Sequence, residues 1–237
     1  MAKKIFFILI IIATFWLPGL FTKVQSADRN FALVWSASSF TPPEYQGKAL
    51  PTQGSQIKVV AAPSNSRINP DQMTFRWLLD DETQGAANGQ GKNYFVFTTQ
   101  KPAGAWHQIE VQILDISDNL VERQFLSIKI RDPEILISDE QKNYLPRTIS
   151  VKTGQELKLL SAPLFFNVKT PQEVNFSWQE NDRIFSSAFQ PEPQQASIQI
   201  AGGKILKAFT KTISANISKK TDDFERAARE IVLEINQ

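Results

Sequence analysis

The sequence predicts an all-β protein made of two β-sandwiches in tandem. Apolar and polar side chains alternate in residues 73–80 and again in residues 174–179, which is typical of strands with one buried face. A similar strand precedes each of these segments, at residues 54–63 and 154–163, and each copy begins with glycine and ends with proline. The same order of strands therefore occurs twice in the chain.

The alternation also predicts the core residues. Phe75 and Trp77 fall on the inward face of the first repeat, and Phe176 and Trp178 fall on the inward face of the second. A large aromatic side chain at this point of a two-sheet sandwich fills the space between the sheets. His107, the only histidine, shares its parity with the apolar residues that follow it. We therefore expect all five residues to be structural.

The length of the chain fits two domains. The 237 residues, less a leader, accommodate two units of roughly 100 residues each. We place the first sandwich at residues 30–131 and the second at residues 133–236, so the linker is very short and suggests a rod-like tandem. The predicted strands are residues 31–35, 57–62, 73–80, 94–99, 107–115 and 125–130 in the first sandwich, and 134–138, 156–160, 174–179, 197–200, 210–218 and 229–235 in the second.

Residues 1–26 have the composition of a secretory signal peptide. Lys3 and Lys4 precede an apolar run, and the small residues that end at Ser26 suit a cleavage site. The alternative is an uncleaved anchor, because the apolar run at residues 5–21 is just long enough to span a membrane. The sequence thus predicts an exported protein, whether periplasmic, secreted or at the cell surface, which contacts a membrane only if the leader is retained.

Composition argues against several functions. The chain contains no cysteine, which removes disulfides, thiol catalysis and cysteine-based zinc sites. The formal charge of +2 falls to −1 once Lys3, Lys4 and Lys23 of the leader are left out. A nearly neutral protein lacks the clustered basic face that nucleic-acid binding requires. The acidic clusters match no calcium-loop signature, so we expect neither a metal nor a cofactor.

Residues 39–51 are rich in turn formers, and Pro42 and Pro43 cannot donate to a β-ladder. One interpretation is an exposed interaction surface that includes these prolines with Phe40 and Tyr45. The other, which we favour, is a kinked first strand that crosses between the two sheets of the sandwich.

Two further features lie outside the predicted cores. Trp106 falls on the face opposite to the apolar residues of its strand, which makes it a candidate surface residue. Its pairing with Tyr45 is the one sugar-binding arrangement that we consider. Residues 81–93 are rich in glycine but lack the Gly-Lys-Ser/Thr ending of a phosphate-binding loop. We expect them to form a flexible crossover.

Residues 104–115 combine a glycine, an aromatic residue and an alternating strand that ends in aspartate. This pattern resembles that of PKD and related bacterial immunoglobulin-like domains, and Trp77 stands where that group has its strand-C tryptophan. Trp35 and residues 41–51 are similar to a segment of uncharacterised exported bacterial proteins with tandem domains. The resemblance implies immunoglobulin-like sandwiches that serve as extracellular or periplasmic interaction modules without a catalytic set.

The function predicted from the sequence is therefore that of a non-enzymatic exported protein with two immunoglobulin-like domains. It would act in adhesion, envelope structure or assembly, through strand edges and loops that contact a protein or an envelope polymer. The alternative is a carbohydrate-binding or enzyme-accessory module, which needs exposed coplanar aromatics. A periplasmic pilus-type chaperone ranks lower, because the motifs of that family are absent.

Overall fold

The computed structural model describes residues 30–181, 183–187, 191–202 and 208–236, so the predicted leader at residues 1–26 lies outside the described part. The described residues form β-strands and short 3₁₀ turns, and the prediction of an all-β protein is confirmed. The turns are Pro70–Gln72, Gly85–Ala87 and Pro171–Glu173. No helix within the described ranges is long and apolar enough to cross a membrane.

The first sandwich consists of two antiparallel sheets. Its strands are β1 (Phe31–Ala37), β2 (Gln56–Pro63), β3 (Thr74–Leu79), β4 (Glu82–Thr83), β5 (Gly89–Gln90), β6 (Tyr94–Thr98), β7 (Trp106–Leu114) and β8 (Leu120–Lys129). The smaller sheet has the order β1-β2-β6. The larger sheet has the order β4-β3-β7-β8, and β5 also pairs with β3.

The second sandwich repeats this plan and adds strand β10 to its larger sheet. Its strands are β9 (Glu134–Ser138), β10 (Thr148–Lys152), β11 (Glu156–Leu164), β12 (Val174–Glu180), β13 (Arg183–Ser187), β14 (Gln195–Gln199), β15 (Phe209–Lys219) and β16 (Asp222–Asn236). The smaller sheet has the order β14-β11-β9, and the larger has the order β10-β16-β15-β12-β13. The pairing of β10 with β16 is parallel, whereas the other pairings are antiparallel.

Each sandwich has its own hydrophobic core between its sheets. Phe75 and Trp77 on β3 are buried in the first core, and Phe176 and Trp178 on β12 are buried in the second. These positions follow from the period-two alternation of the two strands.

The two tryptophans differ in one respect. Trp77 Nε1 donates to the Lys92 carbonyl at 2.9 Å, whereas Trp178 Nε1 has no hydrogen-bond partner among the described residues.

Some strands differ from the sequence-based expectation. β8 begins at Leu120 and β16 begins at Asp222, several residues before the predicted starts at residues 125 and 229. The early parts of both strands are mostly solvent-exposed, so they carry no alternation that could reveal them. The short strands β10 and β13 were not predicted.

Residues 81–93, expected to be a flexible crossover, instead fold back onto β3. They contain β4, the Gly85–Ala87 turn and β5. The Trp77 N–H donates to Asn88 Oδ1 at 2.7 Å, and the Gln84 N–H donates to the Trp77 carbonyl at 2.9 Å. The loop is therefore hydrogen-bonded around the central tryptophan of the first core.

Candidate functional site

The connection between β1 and β2 lies at the junction of the two sandwiches. We call residues 38–55 the docking segment. It is tied to the first sandwich by a parallel bridge between Thr52 and Arg131, and by the Arg131 N–H, which donates to the Pro51 carbonyl at 2.8 Å. Phe40, Glu44 and Tyr45 of the segment contact the second sandwich, whereas Gly54 and Ser55 bond to Thr99 at the end of β6.

The backbone of Phe40 is bonded entirely to the second sandwich. The Phe40 N–H donates to the Phe166 carbonyl at 2.7 Å, and the Phe165 N–H donates to the Phe40 carbonyl at 2.7 Å. The Phe40 side chain packs against the second core, and Phe165 and Phe166 are buried. The docking segment therefore adds an apolar residue of the first sandwich to the core of the second.

A polar cluster lies beside these aromatic residues. Asn167 Nδ2 donates to Thr52 Oγ1 at 3.1 Å and to the Gln53 carbonyl at 2.8 Å. Ser55 Oγ donates to Asn167 Oδ1 at 2.7 Å, and Thr52 Oγ1 donates to the Phe165 carbonyl at 3.0 Å. Thr52 and Ser55 are buried, so removing the Asn167 side chain would take one hydrogen-bond partner from each of their hydroxyls in the interior.

Phe165 has a backbone conformation that aromatic residues seldom adopt. Its φ angle is +64°, in the left-handed region that disfavours bulky side chains. Such a conformation persists only where the surroundings hold it in place. Here the Phe165 N–H and carbonyl are both bonded to the docking segment, and its ring meets Tyr45 edge-on at a centroid distance of 5.7 Å.

Two charged contacts complete the junction. The Glu225 carboxylate, on the β15–β16 hairpin, accepts from the Asn167 N–H and from Lys219 Nζ, the latter at 3.0 Å. Glu44 of the docking segment forms an ion pair with Lys142 of the second sandwich. The hydrogen bond from Lys142 lowers the pKa of Glu44. This second pair is solvent-exposed, so it contributes little to stability.

The candidate surface of Phe40, Pro42, Pro43 and Tyr45 is thus at the junction. Phe40 and Tyr45 contact the second sandwich, Pro42 is buried, and Pro43 remains exposed. Much of this apolar surface is therefore occupied by the chain itself. Trp106, at the start of β7, is 50% exposed, and Lys129 Nζ lies 5.5 Å from the centroid of its ring.

His107 is buried in a hydrogen-bonded chain that has the composition of a catalytic triad. Its Nδ1 lies 2.7 Å from Asp80 Oδ2, and its Nε2 lies 2.8 Å from Thr99 Oγ1. Thr99 is 0% exposed, so its hydroxyl has no access to a substrate, and it also accepts from the Lys101 N–H at 3.2 Å. The arrangement connects β6 to β7 and to the end of β3, and we assign it a structural role.

The electrostatics of this hydrogen-bonded network depend on Asp80. Burial raises the pKa of Asp80, but hydrogen bonds from Lys101 Nζ, the Gln108 N–H and His107 lower it, and the net pKa lies below the ordinary value. The Lys101 Nζ to Asp80 Oδ2 distance is 2.8 Å. The carboxylate is therefore stabilised in its charged form, beside a buried imidazole.

Sugar binding would need clustered exposed aromatic side chains, and metal binding would need clustered acidic or histidine side chains. The exposed tryptophan and tyrosine side chains of the described residues are Tyr94 on β6, Trp106 on β7 and Tyr144 after β9. β6 and β7 belong to different sheets, so Tyr94 and Trp106 do not share a face, and no ring contact joins Trp106 to Tyr45 within the described ranges. In the same part of the chain, no three His, Asp or Glu side chains are grouped as metal ligands.

Sequence reasoning missed the polar residues of the junction. Thr52, Ser55, Asn167 and Glu225 were not predicted as site residues. One signal was present, because Ser55 has the inward parity of Ile57 in the strand that follows it. A hydroxyl at an inward position needs a buried partner, but the sequence did not indicate that this partner is Asn167.

Comparison with known proteins finds similarity in structure alone. No protein-family model and no curated protein matches the sequence. The structure is similar to the three N-terminal domains of the Highly Immunogenic Outer Capsid protein (Hoc) of bacteriophage RB49, with a TM-score of 0.41 and 13% identity over 86% of this chain and 59% of that one. The chain thus spans 59% of the length of that structure.

Two further structures cover most of both chains. The fibronectin(III)-like modules of Clostridium thermocellum CbhA give a TM-score of 0.30 and 9% identity over 87% of this chain and 95% of that one. A chain of the crystal structure of Dpr2 Ig1-Ig2 in complex with DIP-Theta Ig1-Ig3 gives a TM-score of 0.29 and 11% identity over 80% of this chain and 93% of that one. These TM-scores lie below 0.5, so the assignment of the sandwich fold rests on the sheet orders and the two cores.

Proposed function

We propose that this protein is an exported, non-catalytic interaction module whose two immunoglobulin-like sandwiches are held in one fixed relative orientation. The observation that carries the proposal is the docking segment, which belongs to the first sandwich and is bonded to the second through Phe40, Thr52 and Ser55. A stiff pair of sandwiches suits a spacer or a presenting arm, because it keeps binding surfaces at a constant separation and angle.

The non-catalytic part of the proposal rests on burial. The Thr99–His107–Asp80 chain has the composition that nucleophilic catalysis requires, but the Thr99 hydroxyl is enclosed and already bonded. The export part of the proposal rests on the signal-like composition of residues 1–26. The partner proposed is a protein or an envelope polymer, and nucleic acid is disfavoured by the charge of the chain after its leader.

The fixed orientation is tested by ¹⁵N relaxation of the purified two-sandwich protein. We expect amides of both sandwiches to fit a single rotational diffusion tensor. The Asn167→Ala variant removes the side chain that bonds to Thr52, Gln53 and Ser55, so its two sandwiches should fit separate tensors. Separate tensors in the unmodified protein would overturn the spacer proposal.

Export is tested by the mass of the protein recovered from the cell envelope of its native host. A chain that begins near Ala27 would support cleavage and release. An intact start in the membrane pellet would support the anchored form, in which residues 5–21 hold the sandwiches outside the membrane. Recovery in the cytoplasm alone would contradict export.

A carbohydrate-binding module remains the second candidate, because Trp106 is 50% exposed on the outer face of the larger sheet. Sugar binding commonly uses aromatic faces, and this ring already has Lys129 nearby. Binding of envelope polysaccharide that quenches tryptophan fluorescence and is lost in Trp106→Ala would favour this candidate over the spacer.

A further inference from the structure

Strand β6 lies at a free edge of the first sandwich. It pairs with β2 on one side and ends the sheet order on the other. The Ala61 N–H donates to the Asn93 carbonyl, and the Thr99 N–H donates to the Ser55 carbonyl. In an antiparallel pair, every second residue bonds to the neighbouring strand. The odd-numbered residues of β6 therefore bond to β2.

It follows that the backbone N–H and C=O groups of Tyr94, Val96 and Thr98 point to the open side of the edge. They form no other backbone hydrogen bond within the described residues. Their side chains lie on the outer face, where Tyr94 is 53% exposed and Val96 is 39% exposed. An edge of this kind is a template for a further strand.

A groove runs along this edge. It has a volume of about 820 Å³ and lies between β6 and the loop that contains the Gly85–Ala87 turn. The loop limits the approach of a bulky domain, whereas a single extended chain has the width of one strand spacing, ~4.8 Å. The shape of the site therefore suits a peptide segment better than a second sandwich.

The charges around the edge are positive. Among the described residues, Lys92 is the only charged one that lines the groove, and its Nζ donates to the Ala86 carbonyl at 2.9 Å. Lys58 Nζ lies 4.9 Å from the centroid of the Tyr94 ring. Neither lysine forms an ion pair with a carboxylate in the described part of the chain. A carboxylate on the occupant would complement both lysines, while a second copy of this chain paired through β6 would bring its own Lys58 and Lys92 to the edge.

The equivalent edge of the second sandwich is different. Strand β14 ends the smaller sheet there, and its outward residues are Gln195, Ser197 and Gln199. Ser197 Oγ also donates to Glu156 at 2.6 Å. The outward face of β14 therefore lacks the apolar side chains that an added apolar strand would cover. The apolar outward residues of β6 are therefore a property of that edge and not of the fold.

We propose that the β6 edge binds an extended apolar peptide segment of a partner protein by strand addition, with an acidic side chain of the segment near Lys92 and Lys58. The inference rests on the proposed function as an interaction module and names the edge through which it acts. The added strand bonds to the backbone of Tyr94, Val96 and Thr98 and covers the side chains of Tyr94 and Val96.

The test uses a library of short linear peptides displayed on phage, selected against the whole protein. We expect the selected peptides to carry alternating β-branched or aromatic residues with Asp or Glu at one end, and to lack proline. Val96→Pro removes an N–H on the open side of the edge without removing a bond to β2, so it should weaken binding of a selected peptide about tenfold or more. Ser197→Pro makes the matching change on β14 and should leave binding unchanged.

Hydrogen exchange then locates the peptide. Binding should slow the exchange of the Tyr94, Val96 and Thr98 amides and leave those of Gln195, Ser197 and Gln199 unaffected. Peptides that bind Val96→Pro as tightly as the unmodified protein, or protection that rises with protein concentration without peptide, would overturn the proposal. The second result would indicate a dimer of this chain. Neither result depends on the junction, so the spacer proposal is tested separately by the rotational diffusion of the two sandwiches.

Discussion

The stretch that connects β1 to β2 in the first sandwich differs from the stretch that connects β9 to β11 in the second. In the second sandwich, β10 pairs in parallel with the last strand, β16, from Thr148 to Lys152. In the first sandwich the docking segment occupies the equivalent place, and only Thr52 bridges to the chain that follows the last strand, at Arg131. Phe40, Glu44 and Tyr45 of the segment contact the second sandwich instead.

This difference shows how one fold can provide a domain junction without a long linker. The second sandwich completes its own larger sheet, whereas the first directs the same stretch outward. The prolines at positions 42 and 43 prevent that stretch from forming a regular ladder, and Phe40 supplies an apolar side chain that the second core accepts. The junction thus combines apolar burial with the polar cluster at Asn167.

The largest difference between the sandwiches should come from their central tryptophans. Trp77→Phe removes buried volume and leaves the Lys92 carbonyl without its donor, so we expect it to lower the free energy of unfolding by about 2–4 kcal/mol. Trp178→Phe removes similar volume but no hydrogen bond, and its effect should be about 1–2 kcal/mol smaller. Urea unfolding followed by circular dichroism measures both, and equal effects would contradict the assignment.

The junction variant Asn167→Ala should have the next largest effect. It removes the amide that accepts from the buried Ser55 hydroxyl and donates to Thr52 Oγ1 and to the Gln53 carbonyl, which should lower the free energy of unfolding by about 1–3 kcal/mol. Asn119→Ala is the control, because Asn119 bonds to Asp115 in the exposed turn between β7 and β8. The control should leave the relative orientation of the sandwiches unchanged, and a similar loosening in both variants would refute the role of Asn167.

The His107 network makes the first sandwich sensitive to acid. Because the pKa of Asp80 is lower in the folded protein than its ordinary value, its contribution to stability is complete above the unfolded pKa and is lost as the pH falls through the folded pKa. Asp80→Asn should lower the free energy of unfolding by about 1–2 kcal/mol at neutral pH. It should also flatten the acid limb of the curve of stability against pH. An unchanged acid limb, measured by thermal unfolding across pH, would contradict this account.

A smaller effect is expected at the turn between β3 and β4. Asp80 and Asp81 have φ angles of +51° and +68°, as a two-residue type I′ hairpin turn requires. Asp81 is exposed, and glycine adopts this conformation without strain. Asp81→Gly should therefore raise the free energy of unfolding by about 0.5–1 kcal/mol, and a loss of stability would argue against the turn type.

The fold was largely predictable from the sequence, and the junction was not. The alternation of apolar and polar residues placed Trp77 and Trp178 on inward faces, because a strand with one buried face shows this alternation within a few residues. The composition of residues 39–51 indicated a crossing rather than a ladder. However, Asn167 lies more than a hundred residues from Thr52 and Ser55, and no local pattern links residues so far apart.

The free edge at β6 was unpredictable for a related reason. The strand itself was expected at residues 94–99, but its exposure depends on where other strands lie. Residues 81–93 could have added a strand beside β6, and instead they pair with β3. Tyr94 and Val96 are therefore exposed as a result of the topology and not of a local signal.

The distance between the far ends of the two sandwiches tests the central claim most directly. Because the chain contains no cysteine, Ser117→Cys and Lys152→Cys place one spin label on an exposed position of each sandwich, and pulsed electron resonance gives the distribution of their separation. A fixed junction predicts a single narrow distribution that broadens when Asn167→Ala is added. A broad distribution in the protein without that change would contradict the claim that the docking segment holds the two sandwiches in one orientation.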